Sequence, residues 1–361
     1  MKTMLITAAV LFMSLGMGAQ PAYTTDSTVC YTSCDSIRLA ATLTMPASQP
    51  AGGVPAVALM SGTYPQDRDC TMAGHKLFLE LADYLSSRGI AVLRTDDRGV
   101  GGSTGNYNAA TTADFAADAL AAVDYLKTVP GIDPRRIGLI GHSEGGASIS
   151  IAASRSRDVA FIISLAGLMT DGLSSVIQQN KDIVAASPIS DEDKARYDDI
   201  NQLMFRTVYD HADCDTLPAL LWQTYNTWKA KDDELFKQRH PGEFDHFRFG
   251  IYTYAQTASS PWYRFFIRYN PADYLSKVNV PVLAINGDRD IMVNCEQNLG
   301  NVKRYLQHNP DVTTHVVHGI NHLLLPCQKG TQDEYASITA PTSPEVLQTV
   351  YEWIRKRFLS F

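Results

Sequence analysis

Gly141-His142-Ser143-Glu144-Gly145 is a G-x-S-x-G pentapeptide set between a short apolar run, Arg136-Ile137-Gly138-Leu139-Ile140, and an Ala-rich stretch from Gly146 to Ala153. The setting constrains the chain more than the pentapeptide does. It predicts a strand, a tight turn and then a helix, with the serine at the apex of the turn. A serine in that position is held in a strained backbone conformation. Glycines two residues before and two after it let strand and helix approach closely.

The flanking segments repeat the same alternation. Residues 27–47 partly alternate and stop at Pro46, which predicts an N-terminal hairpin (Thr28-Val29 with Ile37 to Met45). Val54 to Met60, Ile90 to Leu93, Arg136 to Ile140, Val159 to Leu165, Val280 to Ile285 and Val312 to Val317 read as buried strands. Helices are expected over Gly74 to Arg88, from a Thr112 cap through Leu126, over Gln297 to Gln307 and over Pro344 to Phe358. Strands alternating with helices imply an α/β fold with a mainly parallel sheet covered on both faces. From Met169 to about Phe266 the pattern changes to charged and aromatic stretches, so 169–266 reads as a helical insertion. The core is then 20–168 and 267–361.

Residues 1–19 have the layout of an export signal: Lys2, an apolar core from Met4 to Met17, then the small residues Gly16, Gly18 and Ala19. The apolar core is too short to span a bilayer, and no later segment is long enough, so no stable membrane insertion is expected after signal removal and the mature protein is expected to be periplasmic or secreted. The net charge is −7, and removing residues 1–19 takes away Lys2 and no acid, leaving −8. An acidic chain without a Lys/Arg cluster argues against nucleic acid as a partner. Export makes disulfides permissible. Cys30 with Cys34 and Cys295 with Cys327 are the expected bridges. No CxxC or HExxH spacing suggests zinc, and no cofactor is expected. The oligomeric state is not encoded in any pattern here.

Ser143 is the candidate nucleophile. A serine hydroxyl needs a histidine to take its proton and an acid to orient that histidine. On a doubly wound sheet both follow the serine, on loops at the carboxyl ends of later strands. The acid loop is Gly287-Asp288-Arg289-Asp290-Ile291-Met292-Val293. Asp290 is preferred because the loop needs a few residues to turn back, leaving Asp288 to cap the turn or pair with Arg289. The histidine loop, Gly319-Ile320-Asn321-His322, nominates His322. His315 and His318 lie in or at the end of the preceding strand and read as structural or surface residues. For the oxyanion, the backbone N–H groups of Glu144 and Thr63 are expected donors. Pro65 to Asp69 reads equally as a turn held by Asp67 and Arg68 or as a rim of the site. The Gly-rich Asp96 to Ser103 lacks a phosphate-binding pattern and is expected to buttress the turn around Ser143 through Arg98 and the two aspartates.

These residues carry a resemblance. The chain resembles the α/β-hydrolase superfamily across almost all of its mature length, and more narrowly the bacterial EstD-type esterases, related to serine aminopeptidase-like hydrolases. The matching segments are SGTYPQDRD (61–69), ADYLSSRGIAVLRTDDRGVGGSTG (82–105), GHSEGG (141–146), PWYRFFIRYNPADYL (261–275), GDRDIMV (287–293) and GINHL (319–323). The resemblance implies a carboxylic ester hydrolase acting on a small-molecule ester, with a Ser143–His322–Asp290 triad and a helical cap. Thr63-Tyr64 replaces the usual Ser-Gly, and Cys70 stands where an acid is common. Tyr64, Trp262, Tyr263 and Phe266 are expected to line the substrate pocket, with Phe265 nearby. The runner-up is an exported aminopeptidase, which would need cap acids such as Glu192, Asp193, Asp198 or Asp199 to bind a free amine. A non-catalytic binding module is disfavoured by the intact set of three, and a haloalkane-type hydrolase by the serine.

Overall fold

Val54 to Met60 shows why the sheet lies at the centre of the molecule. Six of its seven residues are buried, so both faces of the strand must be covered, and a two-sided apolar strand is the mark of an interior parallel sheet. The computed structural model describes residues 22–33 and 36–359. The expected export signal and Cys34 lie outside the described residues.

The strands are β1 (Tyr23–Thr32), β2 (Arg38–Pro46), β3 (Val54–Met60), the short hairpin β4 (Thr71–Met72) and β5 (His75–Lys76), β6 (Ala91–Thr95), β7 (Ile132–His142), β8 (Phe161–Leu165), β9 (Val282–Gly287) and β10 (Val312–Val317). Eight of them form one sheet in the order β1-β2-β6-β3-β7-β8-β9-β10. β1 pairs antiparallel with β2, and β2 with β6; every pair from β6 through to β10 is parallel. The loops leaving β3, β6, β7, β8, β9 and β10 therefore open on one edge of the sheet, where a doubly wound fold places its ligands.

The helices of the sheet are α1 (Leu77–Ser86), α2 (Thr112–Lys127) and α3 (Glu144–Arg155). The next five lie between β8 and β9: α4 (Gly172–Ala186), α5 (Asp191–His211), α6 (Leu217–Arg239), α7 (Ile251–Ala258) and α8 (Pro261–Ile267). The short α9 (Ala272–Leu275) leads back to the sheet, followed by α10 (Cys295–Tyr305) and α11 (Pro344–Phe358). α2, α3, α9 and α10 cover one face of the sheet, and α1 and α11 the other. The face α2 turns inward is mostly alanine (Ala116, Ala119, Ala122) with Val123 and Leu126, so small side chains set its close seat. α4 to α8 bury a separate cluster of their own that includes Met204, Phe205 and Trp228.

Two expectations need correcting. Thr111, not Thr112, caps α2, in a reciprocal box with Asp114. Thr112, one residue on, is fully buried and turns its hydroxyl toward α3 instead. The helix expected from Gly74 begins at Leu77, because β4 and β5 occupy residues 71–76.

Candidate active site

Ser143 stands at the junction of β7 and α3 with φ +56° and ψ −124°. A non-glycine residue there costs about 1–3 kcal/mol and persists only where its surroundings over-determine it. They do. A β-carbon on Gly141 would lie 2.2 Å from the Gly145 carbonyl oxygen, and one on Gly145 would lie 2.3 Å from that of Met60. Strand, turn and helix thus meet backbone to backbone, and the Ser143 carbonyl accepts from the amides of Gly146 and Leu168.

The structure brings Ser143, His322 and Asp290 together. His322 Nε2 lies 3.0 Å from Ser143 Oγ, and its Nδ1 lies 2.8 Å from Asp290 Oδ2. The other Asp290 oxygen accepts from the amides of Met292 and Val293 at 2.8 and 2.9 Å, which fixes the carboxylate plane. Asp290 is buried and His322 nearly so. Asp288 does not pair with Arg289: it accepts from the Gly319 amide at 2.7 Å and meets His318 Nδ1 at 2.8 Å, so it holds the histidine loop from outside. His315 sits on the surface against Glu345.

Two supports escaped sequence reasoning. Asn321 folds the histidine loop by accepting from the amides of Leu323 and Leu325. His142, fully buried, lies 2.9 Å through Nε2 from the His322 carbonyl oxygen, so Nε2 is the donor. Burial, and secondarily the neighbouring His322, pushes the His142 pKa down to about 3, so it stays neutral. A Gly-His-Ser triplet carries no signal of this role, because the partner is a backbone atom 180 residues away.

Among the described residues neither the Thr63 nor the Glu144 amide donates to a backbone acceptor, and Thr63 lines the same cavity as Ser143. Gly62 matters for space, since a β-carbon there would lie 2.8 Å from the Ser143 β-carbon. The Thr63 loop is anchored by Asp97, which accepts from Ser61 Oγ at 2.6 Å and the Gln66 amide at 2.8 Å. Removal from solvent raises the Asp97 pKa to about 7. Asp96 and Arg98 act elsewhere: Asp96 takes Arg68 in a two-pronged contact, and Arg98 grips Asp118 on α2. Arg68 therefore does not pair with Asp67, which caps its own turn through the Asp69 and Thr71 amides.

Above Ser143 lies a cavity of about 560 Å³ between the strand ends and the insertion. Tyr64, Trp262, Tyr263 and Phe266 all line it, with Tyr64 largely exposed at its edge. Phe265 points away and packs against the core of the sheet. Gln66, in the loop read either as a turn or as a rim, lines it too; not foreseen are the carboxamides of Gln179, Asn180, Asn201 and Gln332, the rings of Tyr254 and Tyr335, and apolar side chains that include Val176, Phe205 and Met292. Isolated amides on helices have no period to betray them. Among the described residues no Asp, Glu, Lys or Arg lines the cavity. Of the cap acids, Glu192 meets His240 and Arg239, Asp193 meets Arg196 and Asp199 accepts from Trp228; none of the four reaches the cavity.

The expected Cys295–Cys327 bridge is not formed; both are free thiols. The acid and histidine loops are tied instead by the Asp288 contacts and by Arg289, whose Nη1 donates to the carbonyls of Cys327 and Gln328 at 2.6 Å. Cys70 is fully buried in the α1-side core, and burial pushes its thiol far above the ordinary range. Among the described residues no helix is long and apolar enough to cross a membrane.

A strained serine between a parallel strand and a helix, hydrogen-bonded to a histidine that in turn bonds an aspartate, both from later strand ends, places the fold among the α/β hydrolases. Residues 35–323 match the family described as X-Pro dipeptidyl-peptidase (S15 family), and the chain belongs to that family. It is 36% identical over 106 residues to esterase EstD of Thermotoga maritima, covering 29% of this chain and 25% of that protein. It is 33% identical over 115 residues to thiohydrolase aneE of Aspergillus aculeatus, covering 29% of this chain and 36% of that protein. The chain thus spans about a quarter to a third of the length of these curated relatives. Among solved structures, Est1E from Butyrivibrio proteoclasticus with bound ferulic acid superposes with a TM-score of 0.52 over 91% of this chain and 99% of that one, at 19% identity. At that identity the likeness speaks for the fold.

Proposed function

We propose that the protein is an exported serine hydrolase that cleaves uncharged carboxylic esters through an acyl-enzyme. The observation that carries this reading is the Ser143–His322–Asp290 relay opening on a cavity with no charged side chain in its wall. Ser143 Oγ attacks the ester carbonyl carbon as His322 Nε2 takes its proton, and Asp290 stabilises the imidazolium. The carbonyl oxygen becomes an oxyanion facing the Thr63 and Glu144 amides. Collapse breaks the ester C–O bond, and His322 returns the proton to the leaving alcohol. Water oxygen then attacks the acyl carbon as His322 takes its proton, the bond to Ser143 Oγ breaks, and His322 returns the proton to Oγ, releasing the acid and free Ser143. The curated relatives named as an esterase and a thiohydrolase support this class of acyl transfer.

The family description favours a second reading, a peptidase acting on free amino termini. Holding an ammonium group calls for a carboxylate in the wall, and among the described residues none lines the cavity. The deciding assay is hydrolysis of a short-to-long p-nitrophenyl ester series beside aminoacyl and X-Pro p-nitroanilides, with wild type and Ser143→Ala. Ester turnover lost in Ser143→Ala, with anilides untouched, is the expected result. Dominant anilide turnover would move the protein to the peptidase reading, and esterase activity surviving Ser143→Ala would sink the mechanism.

Export rests on the Lys2, Met4–Met17 and Gly16 to Ala19 pattern. N-terminal sequencing of protein from a cell fractionation tests it: a mature start near residue 20 outside the cytoplasm is expected, and an intact Met1 in the cytoplasm would refute it.

A further inference from the structure

Glu144 is fully buried, and no cation is among its hydrogen-bond partners. Its carboxyl instead collects three donors from three parts of the chain. Oε1 accepts from Thr112 Oγ1 at the start of α2 at 2.6 Å and from Trp262 Nε1 on α8 at 2.8 Å. Oε2 accepts from Thr63 Oγ1 at 2.9 Å. A carboxyl away from water is costly even when hydrogen-bonded, and an apolar side chain would fill the same space at lower cost. What a carboxyl alone supplies here is a three-way junction. Two of its arms are functional surfaces: Thr63 carries one amide proposed to face the oxyanion, and Trp262 is part of the cavity wall. The third surface is Glu144 itself, whose own amide is the second proposed donor. The two residues of the oxyanion hole are thus hydrogen-bonded to each other through the side chain that also seats the insertion.

We infer that the Glu144 side chain is a positioning residue that locks the Thr63 and Glu144 amides to each other and to the Trp262 wall of the acyl cavity. The inference rests on the ester hydrolase reading above. The acceptor geometry matters and the charge does not, since Gln at 144 keeps one oxygen for Thr112 and Trp262 and can donate to the Thr63 hydroxyl.

The test compares Glu144→Leu with Glu144→Gln on one short p-nitrophenyl ester, and measures inhibition by phenylboronic acid, which adds to the serine and mimics the tetrahedral state. Misplacing hole donors without deleting them should cost about 10–100-fold, below the full loss of one donor. In Glu144→Leu, kcat and boronate affinity should fall together by that factor while KM moves less than about threefold. Glu144→Gln should recover most of both. Thr63→Val and Trp262→Phe each remove one arm without touching the carboxyl, and decide the matter if Glu144→Leu does not fold. Their effects on kcat should combine to less than the product, because both arms act through one junction. Boronate affinity and kcat unchanged in Glu144→Leu, or fully multiplicative effects in the Thr63/Trp262 pair, would overturn the inference and leave the hydrolase reading standing. Boronate that binds neither wild type nor any variant would break the hydrolase reading itself.

Discussion

Around Ser143 the sheet side is fixed by backbone against backbone, while the insertion side is fixed by side chain against side chain. Below the serine, Gly141 and Gly145 leave no room for a single added carbon. Above it, α4 to α8 bury their own cluster and present amides, phenols and indole to the cavity. The lower half therefore tolerates almost no change and holds the reacting atoms. The upper half can exchange lining residues while the serine stays in place, which is how one scaffold serves many substrates.

Substitutions that break this contrast should differ in size accordingly. Asp290→Asn leaves a hydrogen-bonding group in place but favours the wrong His322 tautomer, so ester kcat should drop about 10³–10⁴-fold with little change in melting temperature. Gly141→Ala forces the elbow apart. It should destabilise the fold by at least about 1–3 kcal/mol, the usual cost of overpacking, and lower the melting temperature visibly in a thermal scan. In the upper half, Asn201→Leu should leave kcat within about threefold and shift KM between polar and apolar acyl chains by up to about tenfold, read from the same ester series. An Asn201→Leu enzyme that loses kcat as Asp290→Asn does would erase the distinction between the halves.

Asp97 sharpens the comparison through pH. Its folded pKa of about 7 lies above its ordinary value of 3.8, so folding favours the protonated form. That contribution is full below about pH 3.8 and is lost as pH rises through 7. Wild type should therefore lose more melting temperature between pH 5.5 and pH 8 than Asp97→Asn, whose amide can still serve Ser61 and Gln66. Equal slopes would remove Asp97 as the titrating group. Tyr335→Phe should have the smallest effect. Among the described residues the buried phenol oxygen has no hydrogen-bond partner, so its loss should leave the melting temperature unchanged or slightly raised.

What was legible from sequence follows the same division. Val54 to Met60, Val312 to Val317 and Pro344 to Phe358 were read to the residue because uninterrupted apolar runs and a helical stripe are local signals. Ser143, Asp290 and His322 were legible because chain order maps onto strand order in a parallel sheet. The junction at Glu144 was not, since its donors come from residues 63, 112 and 262 and share no pattern. The Asp67–Arg68 pairing, one of two readings of that loop, does not form for the same reason: Asp67 is adjacent in sequence, but Asp96 reaches Arg68 from the loop after the neighbouring strand β6. The Cys295–Cys327 bridge was inferred from two loops meeting, yet meeting loops do not aim their sulfurs at each other.

The bond from Trp262 to Glu144 also bears on how molecules come and go. An insertion pinned at its base to the floor of the cavity is a poor trapdoor. Traffic is left to the rim, where Tyr64 stands largely in solvent with its backbone at φ +72°. Turnover of a small ester should then respond weakly to added viscogen, and bulk at position 64 should set the toll on large substrates before any chemistry begins.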